Sequence, residues 1–167
     1  MSVTVSFRVV GLYCYFENLV LPNCTPSSTV QQIMDAIAAA QPAFSYGAGN
    51  EVTEMAYTFS DSSTQPYNTL SRPKNGYRSE SESIGSVANV WQYYRSVTGS
   101  INGTVCEIKI ISPGQPKFNE TALNQNLVVP AGFNISTYNL TWRLVRLQLT
   151  PEAQAKRLAN SQLALAR

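Results

Sequence analysis

Val3-Thr4-Val5-Ser6-Phe7-Arg8-Val9 alternates apolar with polar side chains, the period-two signature of a strand with one buried face. Such a face needs a cover. A second apolar run, Leu12 to Leu21 with Glu17 and Asn18 inside it, predicts a partner strand after a turn near Gly11. Thr25-Pro26-Ser27-Ser28-Thr29 then leads into Val30, Ile33, Met34, Ile37 and Ala38, whose i, i+3, i+4, i+7, i+8 spacing draws one apolar stripe along a helix. Thr29 with Gln32 has capping-box spacing, in which the hydroxyl accepts an early helix amide and the glutamine reaches back. Ser28 with Gln31 offers the same pattern one residue earlier. Pro42 disfavours helical backbone in the residue before it and ends the helix by Gln41.

Strand, turn, strand and the capped segment Pro26-Ser27-Ser28-Thr29-Val30-Gln31-Gln32-Ile33-Met34-Asp35-Ala36-Ile37 together resemble the opening of a ubiquitin-like β-grasp domain. In that family a Pro-Ser-x-Thr-hydrophobic segment caps a single helix that crosses a mixed sheet. The resemblance spans residues 3–41, implies a fold and carries no chemistry. The chain ends Leu163-Ala164-Leu165-Ala166-Arg167, without the Gly-Gly tail of conjugated or sulfur-carrying members, so conjugation is not expected of it.

Beyond Gln41, Gly47 and Gly49 loosen the chain, and strand character returns from Glu54 with Met55, Tyr57 and Phe59. Residues 61–86 are rich in Ser, Asn, Pro and charge and hold the turn former Asn75-Gly76. A polar stretch this long within one domain reads as an insertion with a use. Val90–Val97 and Val105–Ile111 predict a hairpin joined through Thr98–Gly103. In its second strand Cys106, Ile108 and Ile110 share one face, with Glu107 and Lys109 on the other. Its first strand sets Trp91, Tyr93 and Arg95 against Val90, Gln92 and Tyr94, without indicating the buried side. After an irregular polar segment up to Ser136, Tyr138–Leu149 reads as a last strand. Its apolar phase passes from Leu140, Trp142 and Leu144 to Val145, Leu147 and Leu149, which requires a bulge or two covered faces. Thr150-Pro151-Glu152 starts a C-terminal helix with an N-cap hydroxyl, a proline in the first turn and an acid at the positive dipole end. Ala155, Leu158, Gln162 and Leu165 give that helix only a thin apolar line, so weak docking is expected.

Charged residues make up 13% of the 167-residue chain, about half the usual ~25%. Its surface is therefore polar but mostly uncharged, which lowers the desolvation cost of contacts. A net charge of +2 is too small to argue for nucleic acid, which needs a concentrated basic face. No apolar run nears the ~20 residues that span a bilayer, and no basic, continuously apolar leader opens the chain. The expected setting is cytoplasmic, or a virion or other assembly reached without a cleaved signal. Cys14, Cys24 and Cys106 lack metal spacing. Reduced, buried roles suit them, while a Cys14–Cys24 link would need the hairpin to bring the two together in an oxidising compartment.

The sequence has no histidine, which removes the usual general base at neutral pH and His-assisted nucleophiles. Two acid pairs, Glu51 with Glu54 and Glu80 with Glu82, could serve a hard cation or acid–base work, though solvated carboxylates are the commoner use of such pairs. The densest basic patch, Arg72, Lys74 and Arg78 interleaved with Tyr67 and Tyr77, could stack bases or dock an acidic partner, or be a solvated hairpin tip. Arg143 and Arg146 read as flanking charges. Leu158, Leu163 and Leu165 are the candidate assembly contacts on the last helix.

These features predict an α+β protein with a mixed β-sheet of β-grasp type, one main crossing helix, inserted loops and strands, and a C-terminal helix. Residues 1–150 form one domain with the polar insertion at 61–86, and residues 151–167 a helical tail. The expected function is noncatalytic: self-association, or contact with other subunits, in a phage or filament assembly, with no cofactor, metal, nucleic acid or membrane. The alternative is a monomeric adaptor that binds an acidic protein or nucleic acid through Tyr67, Arg72, Lys74, Tyr77 and Arg78.

Overall fold

The computed structural model describes residues 1–11, 14–59, 67–69, 76–81, 83, 87–114 and 117–165, and the side chains of these except 14–18, 59, 67–69, 76–80, 111–114 and 160–165. The first two strands, β1 (Val3–Val10) and β2 (Cys14–Cys24), pair antiparallel, followed by α1 (Val30–Ala40). Then come β3 (Phe44–Ala48), β4 (Val52–Phe59), β5 (Tyr67–Thr69), β6 (Gly76–Ser81), β7 (Val87–Ile101), β8 (Thr104–Gly114), β9 (Asn134–Gln148) and α2 (Pro151–Leu165). The larger sheet has six strands in the order β5-β2-β1-β9-β7-β8, and the smaller has three, β3-β4-β6. At its centre β1 and β9 run parallel, while the other pairs are antiparallel. The fold is α+β, with a mixed sheet, one main helix packed on it, inserted strands and a C-terminal helix. Among the described residues no helix is long and apolar enough to cross a membrane.

The stripe predicted on α1 is its buried face: Val30, Ile33, Met34 and Ile37 are each at most 2% exposed. They share one core with Val5, Phe7 and Val9 of β1, with Trp91, Tyr93 and Val97 of β7, and with Tyr138, Leu140, Trp142 and Leu144 of β9. Each such side chain contributes about 1.5–3 kcal/mol by leaving water. The cap choice falls on Thr29: the Gln32 amide donates to Thr29 Oγ1 at 3.1 Å and the Thr29 amide to Gln32 Oε1 at 2.9 Å. Ser28 instead bonds Thr25 through their hydroxyls at 2.5 Å. As Pro42 predicts, the helix closes at Gln41, whose amide donates to Ile37 O at 2.8 Å.

Several sequence expectations change. The stretch around Gly47 belongs to β3, whose Phe44 enters the core edge-on to Phe7 with ring centroids 5.2 Å apart. The polar stretch 61–86 includes β5, which pairs with β2, and β6, which pairs with β4. The connection between β7 and β8 is only Asn102-Gly103, with φ of 50° and 78°, so Thr98–Ile101 stays in the strand. That pair fits a type I′ turn, whose twist matches its flanking strands. Gly99 is required nearby, because a Cβ there would lie 2.2 Å from Asn134 O and 2.8 Å from the Phe133 ring. The β1–β2 ladder slips one residue between the pairs Phe7–Leu19 and Val9–Phe16, a bulge at the Glu17-Asn18 interruption. Across β9 the pairing with β7 runs unbroken from Val87–Gln148 to Thr98–Thr137, so the phase change near Val145 is not a bulge. Val145 and Leu147 lie half-buried on the second face, opposite Val90 and Ala88, which are fully buried.

Cys14 and Cys24 stand at the two ends of β2. At a rise of about 3.3 Å per residue they are on the order of 30 Å apart, against the ~7 Å Cα limit of a disulfide. The hairpin therefore excludes the link. Cys24 is a free, buried thiol donating to Leu21 O at 3.4 Å, and burial pushes its pKa up; Cys106 is free and half-buried.

Candidate association surface

Strand alternation gives the large sheet two unlike faces. Val5, Phe7 and Val9 of β1, Trp91, Tyr93 and Val97 of β7 and Tyr138, Leu140, Trp142 and Leu144 of β9 put their core side chains on one, while Ala88 and Val90 are buried on the other at its far end. On the other, ladder partners line up across four strands: Thr4, Thr137, Thr98 and Glu107 in one row, Ser6, Asn139, Ser96 and Lys109 in the next, then Arg8, Thr141 and Tyr94. Of these only Ser96 is buried. Asn139 Nδ2 donates to Ser96 Oγ at 3.0 Å and to Thr98 Oγ1 at 2.9 Å, and Ser96 Oγ donates in turn to Glu107. The chain of bonds fixes neighbouring side chains, so less rotamer entropy remains to be lost when another surface covers them.

The face ends at β8, which pairs only with β7 among the described residues. Its alternation is as the sequence predicts: Ile110 is buried and Cys106 and Ile108 are half-buried, whereas Glu107 and Lys109 are exposed. Val105 is 72% exposed, and Tyr94 and Val20 add exposed apolar surface on β7 and β2. Between the pairs Arg95–Ile110 and Tyr93–Gly114, β8 carries two more residues than β7, a bulge that includes Pro113. Upstream of it the edge from Thr104 to Ile110 is regular and open.

Under the opposite face, Arg95 resolves the ambiguity of β7: with Trp91, Tyr93 and Val97 it points into the core, and it is 4% exposed. Its Nη1 donates to the carbonyls of Ala122 at 2.6 Å, Gln125 at 3.0 Å and Leu123 at 3.4 Å. Burial pulls its pKa below the ordinary value, yet a guanidinium stays charged at any pH the fold meets. The same segment, 117–127, inserts Phe118 and Leu123 into the core and takes the first amides of α1, Val30 N to Thr121 O and Gln31 N to Phe118 O, both at 2.9 Å. This stretch, irregular and polar in sequence, is thus the brace between helix and sheet.

The C-terminal helix is held by a feature its apolar line does not foretell. Arg157 Nη1 lies 3.0 Å from Glu51 Oε2, each side chain about 10% exposed, while Ala155 and Leu158 face solvent. Glu51 is thereby tied to α2. Its sequence neighbour Glu54 stands on β4 opposite Gly47 and Ser81. Glu80 is on β6 with its side chain outside the described set, and Glu82 lies outside the described residues. Among the described residues no three of His, Cys, Asp and Glu gather as a metal group would. A cleft of about 480 Å³ at the start of β1 and β9, lined by Val3, Asn23, Phe133, Asn134 and Tyr138 among others, carries no carboxylate or basic side chain.

Of the predicted basic patch, Arg72 and Lys74 lie outside the described residues. Tyr67 is on β5 in the large sheet, whereas Tyr77 and Arg78 are on β6 in the small one. Leu158 is 51% exposed; the side chains of Leu163 and Leu165 are outside the described set. Arg143 and Arg146 stand on opposite faces of β9, both exposed. No family model, no curated protein and no solved structure matches this chain.

Proposed function

We propose that this protein is a noncatalytic building block that acts by protein contacts, associating with copies of itself in a larger assembly such as a virion or filament. The observation that carries the reading is the outer face of the large sheet, four strands wide, rich in Ser, Thr, Asn and Tyr with Arg8, Arg143, Glu107 and Lys109 among them, tied by side-chain hydrogen bonds and ending at β8, an edge strand among the described residues. A surface mostly of Ser, Thr, Asn and Tyr costs less to dehydrate than a fully charged one, and a regular edge offers a ladder to another chain. Exposed Val20, Tyr94, Val105 and Leu158 add apolar contact area. The strand order β2-β1-β9-β7-β8, with the capped helix α1 packed on its core face, supports kinship with ubiquitin-like β-grasp domains as the scaffold beneath that surface.

Sedimentation velocity over a wide concentration range, with negative-stain microscopy at the top of it, tests this. Association that grows with concentration into particles of defined shape is expected. A chain that sediments as a monomer throughout overturns the proposal.

A further inference from the structure

We infer that two copies of this chain join edge to edge through β8, antiparallel, about a twofold axis at Ile108, so that Glu107 of each faces Lys109 of the other. The inference rests on the self-association reading and names its surface and register.

The geometry starts at the turn. Ile101 and Thr104 close a two-residue type I′ hairpin and form a hydrogen-bonded pair. In an antiparallel ladder such pairs alternate with non-hydrogen-bonded ones. Along β8 the pairs Gly99–Cys106, Val97–Ile108 and Arg95–Ile110 are therefore the bonded ones, and Val105, Glu107 and Lys109 turn their N–H and C=O groups to the open side. A second β8 can complete the ladder only where outward residues meet outward residues, so the twofold axis must pass through a residue of the strand.

Charge then selects among the few registers left. With the axis at Ile108, Glu107 meets the partner's Lys109 and Lys109 meets the partner's Glu107, two opposite-charge pairs on one face. Moving the axis to Glu107 or to Lys109 sets like charges directly opposite, which is destabilising. An alternation of Glu and Lys that would repel other edges, or its own in the wrong register, is complementary to itself in this one. Glu107 is already placed for the contact by Ser96, which Asn139 holds in turn. An axis normal to the sheet keeps the faces aligned, so the polar outer face continues from one copy into the next.

The test is a charge swap read by sedimentation equilibrium, with far-UV circular dichroism to establish folding. Glu107→Lys and Lys109→Glu should each weaken self-association by about tenfold or more, because two attractive pairs become two repulsive ones. An equimolar mixture of the two variants, and the double swap E107K/K109E, should recover wild-type affinity, since each restores two opposite-charge pairs. Lys109→Pro, which removes one outward N–H and leaves the bonds to β7 in place, should abolish pairing without any change of face. Single variants that associate as tightly as wild type, or a mixture that fails to recover, overturn the β8 register and leave association through another surface standing. A wild-type chain that is monomeric at every concentration overturns the association reading itself.

Discussion

Replacing Arg95 by Met tests the brace between helix and sheet most directly. Methionine keeps an unbranched stem of similar reach in the core but can give nothing to the carbonyls of Ala122, Leu123 and Gln125. Two of the three bonds, at 2.6 and 3.0 Å, have good length, and the third, at 3.4 Å, adds little. Hydrogen bonds from a charged donor contribute about 1.5–3 kcal/mol each, so two amount to about 3–6 kcal/mol. Against this stands the relief of no longer burying a cation that lacks a carboxylate beside it and whose Nε has no partner among the described residues. A net loss of about 2–3 kcal/mol follows, equivalent to about 5–10 °C in Tm for a chain of this size. The damage should be local first, because segment 117–127 lies on the surface and its freed carbonyls can take water. Hydrogen exchange should therefore speed up at Leu123, Asn124, Val30 and Gln31, whose amides bond between that segment and the start of α1. A variant within about 1 kcal/mol of wild type, with unchanged protection at Leu123 and Asn124, would refute the brace.

Two further outcomes are expected. Arg157→Met leaves Glu51 without its 3.0 Å partner in a site about 10% exposed and should cost about 2–4 kcal/mol, while Glu51→Leu with Arg157→Met should fall within about 1 kcal/mol of wild type; a double-mutant cycle in urea measures the coupling, and a single-variant cost under about 1 kcal/mol would show that the pair does not hold α2. Tyr46 donates to Asp35 Oδ1 at 2.5 Å, linking β3 to α1, and burial first, then that carboxylate, raises its phenol pKa. Because the folded value lies above the unfolded one, near 10, the contribution is complete below about pH 10 and is lost as pH climbs toward the folded value. Tyr46→Phe should remove part of the alkaline fall in unfolding free energy and leave the rest to Tyr57, Tyr93 and Tyr138, which burial shifts the same way. Identical pH slopes for variant and wild type would sink this assignment.

Local patterns were enough for part of the molecule. The 3.6-residue spacing of Val30, Ile33, Met34 and Ile37 and the capping-box spacing at Ser28–Thr29 act within a few residues, so they are legible without any knowledge of what lies across the chain, though the choice of Thr29 over Ser28 is not. The same holds for the alternation in β1 and β8 and for the Thr150-Pro151 helix start, where Ala153 N donates to Thr150 Oγ1 at 3.3 Å. The six-residue connector expected between β7 and β8 was too long because Asn102-Gly103 alone can turn the chain, and the strand continues through Gly99 to meet Asn134. Nothing local could show that.

Residue patterns alone thus determined the helix, two adjacent candidates for its cap, the exposed Glu107 and Lys109, and a surface poor in ions. Only the tertiary structure decided which side of β7 is inside, that Arg95 and Arg157 are buried, and that β8 is an edge strand among the described residues. A charged side chain looks solvent-bound in sequence because desolvation is costly. Whether distant carbonyls or a distant carboxylate offset that cost depends on residues 27 to 30 positions away for Arg95 and 106 for Arg157, brought near only when the sheet closes.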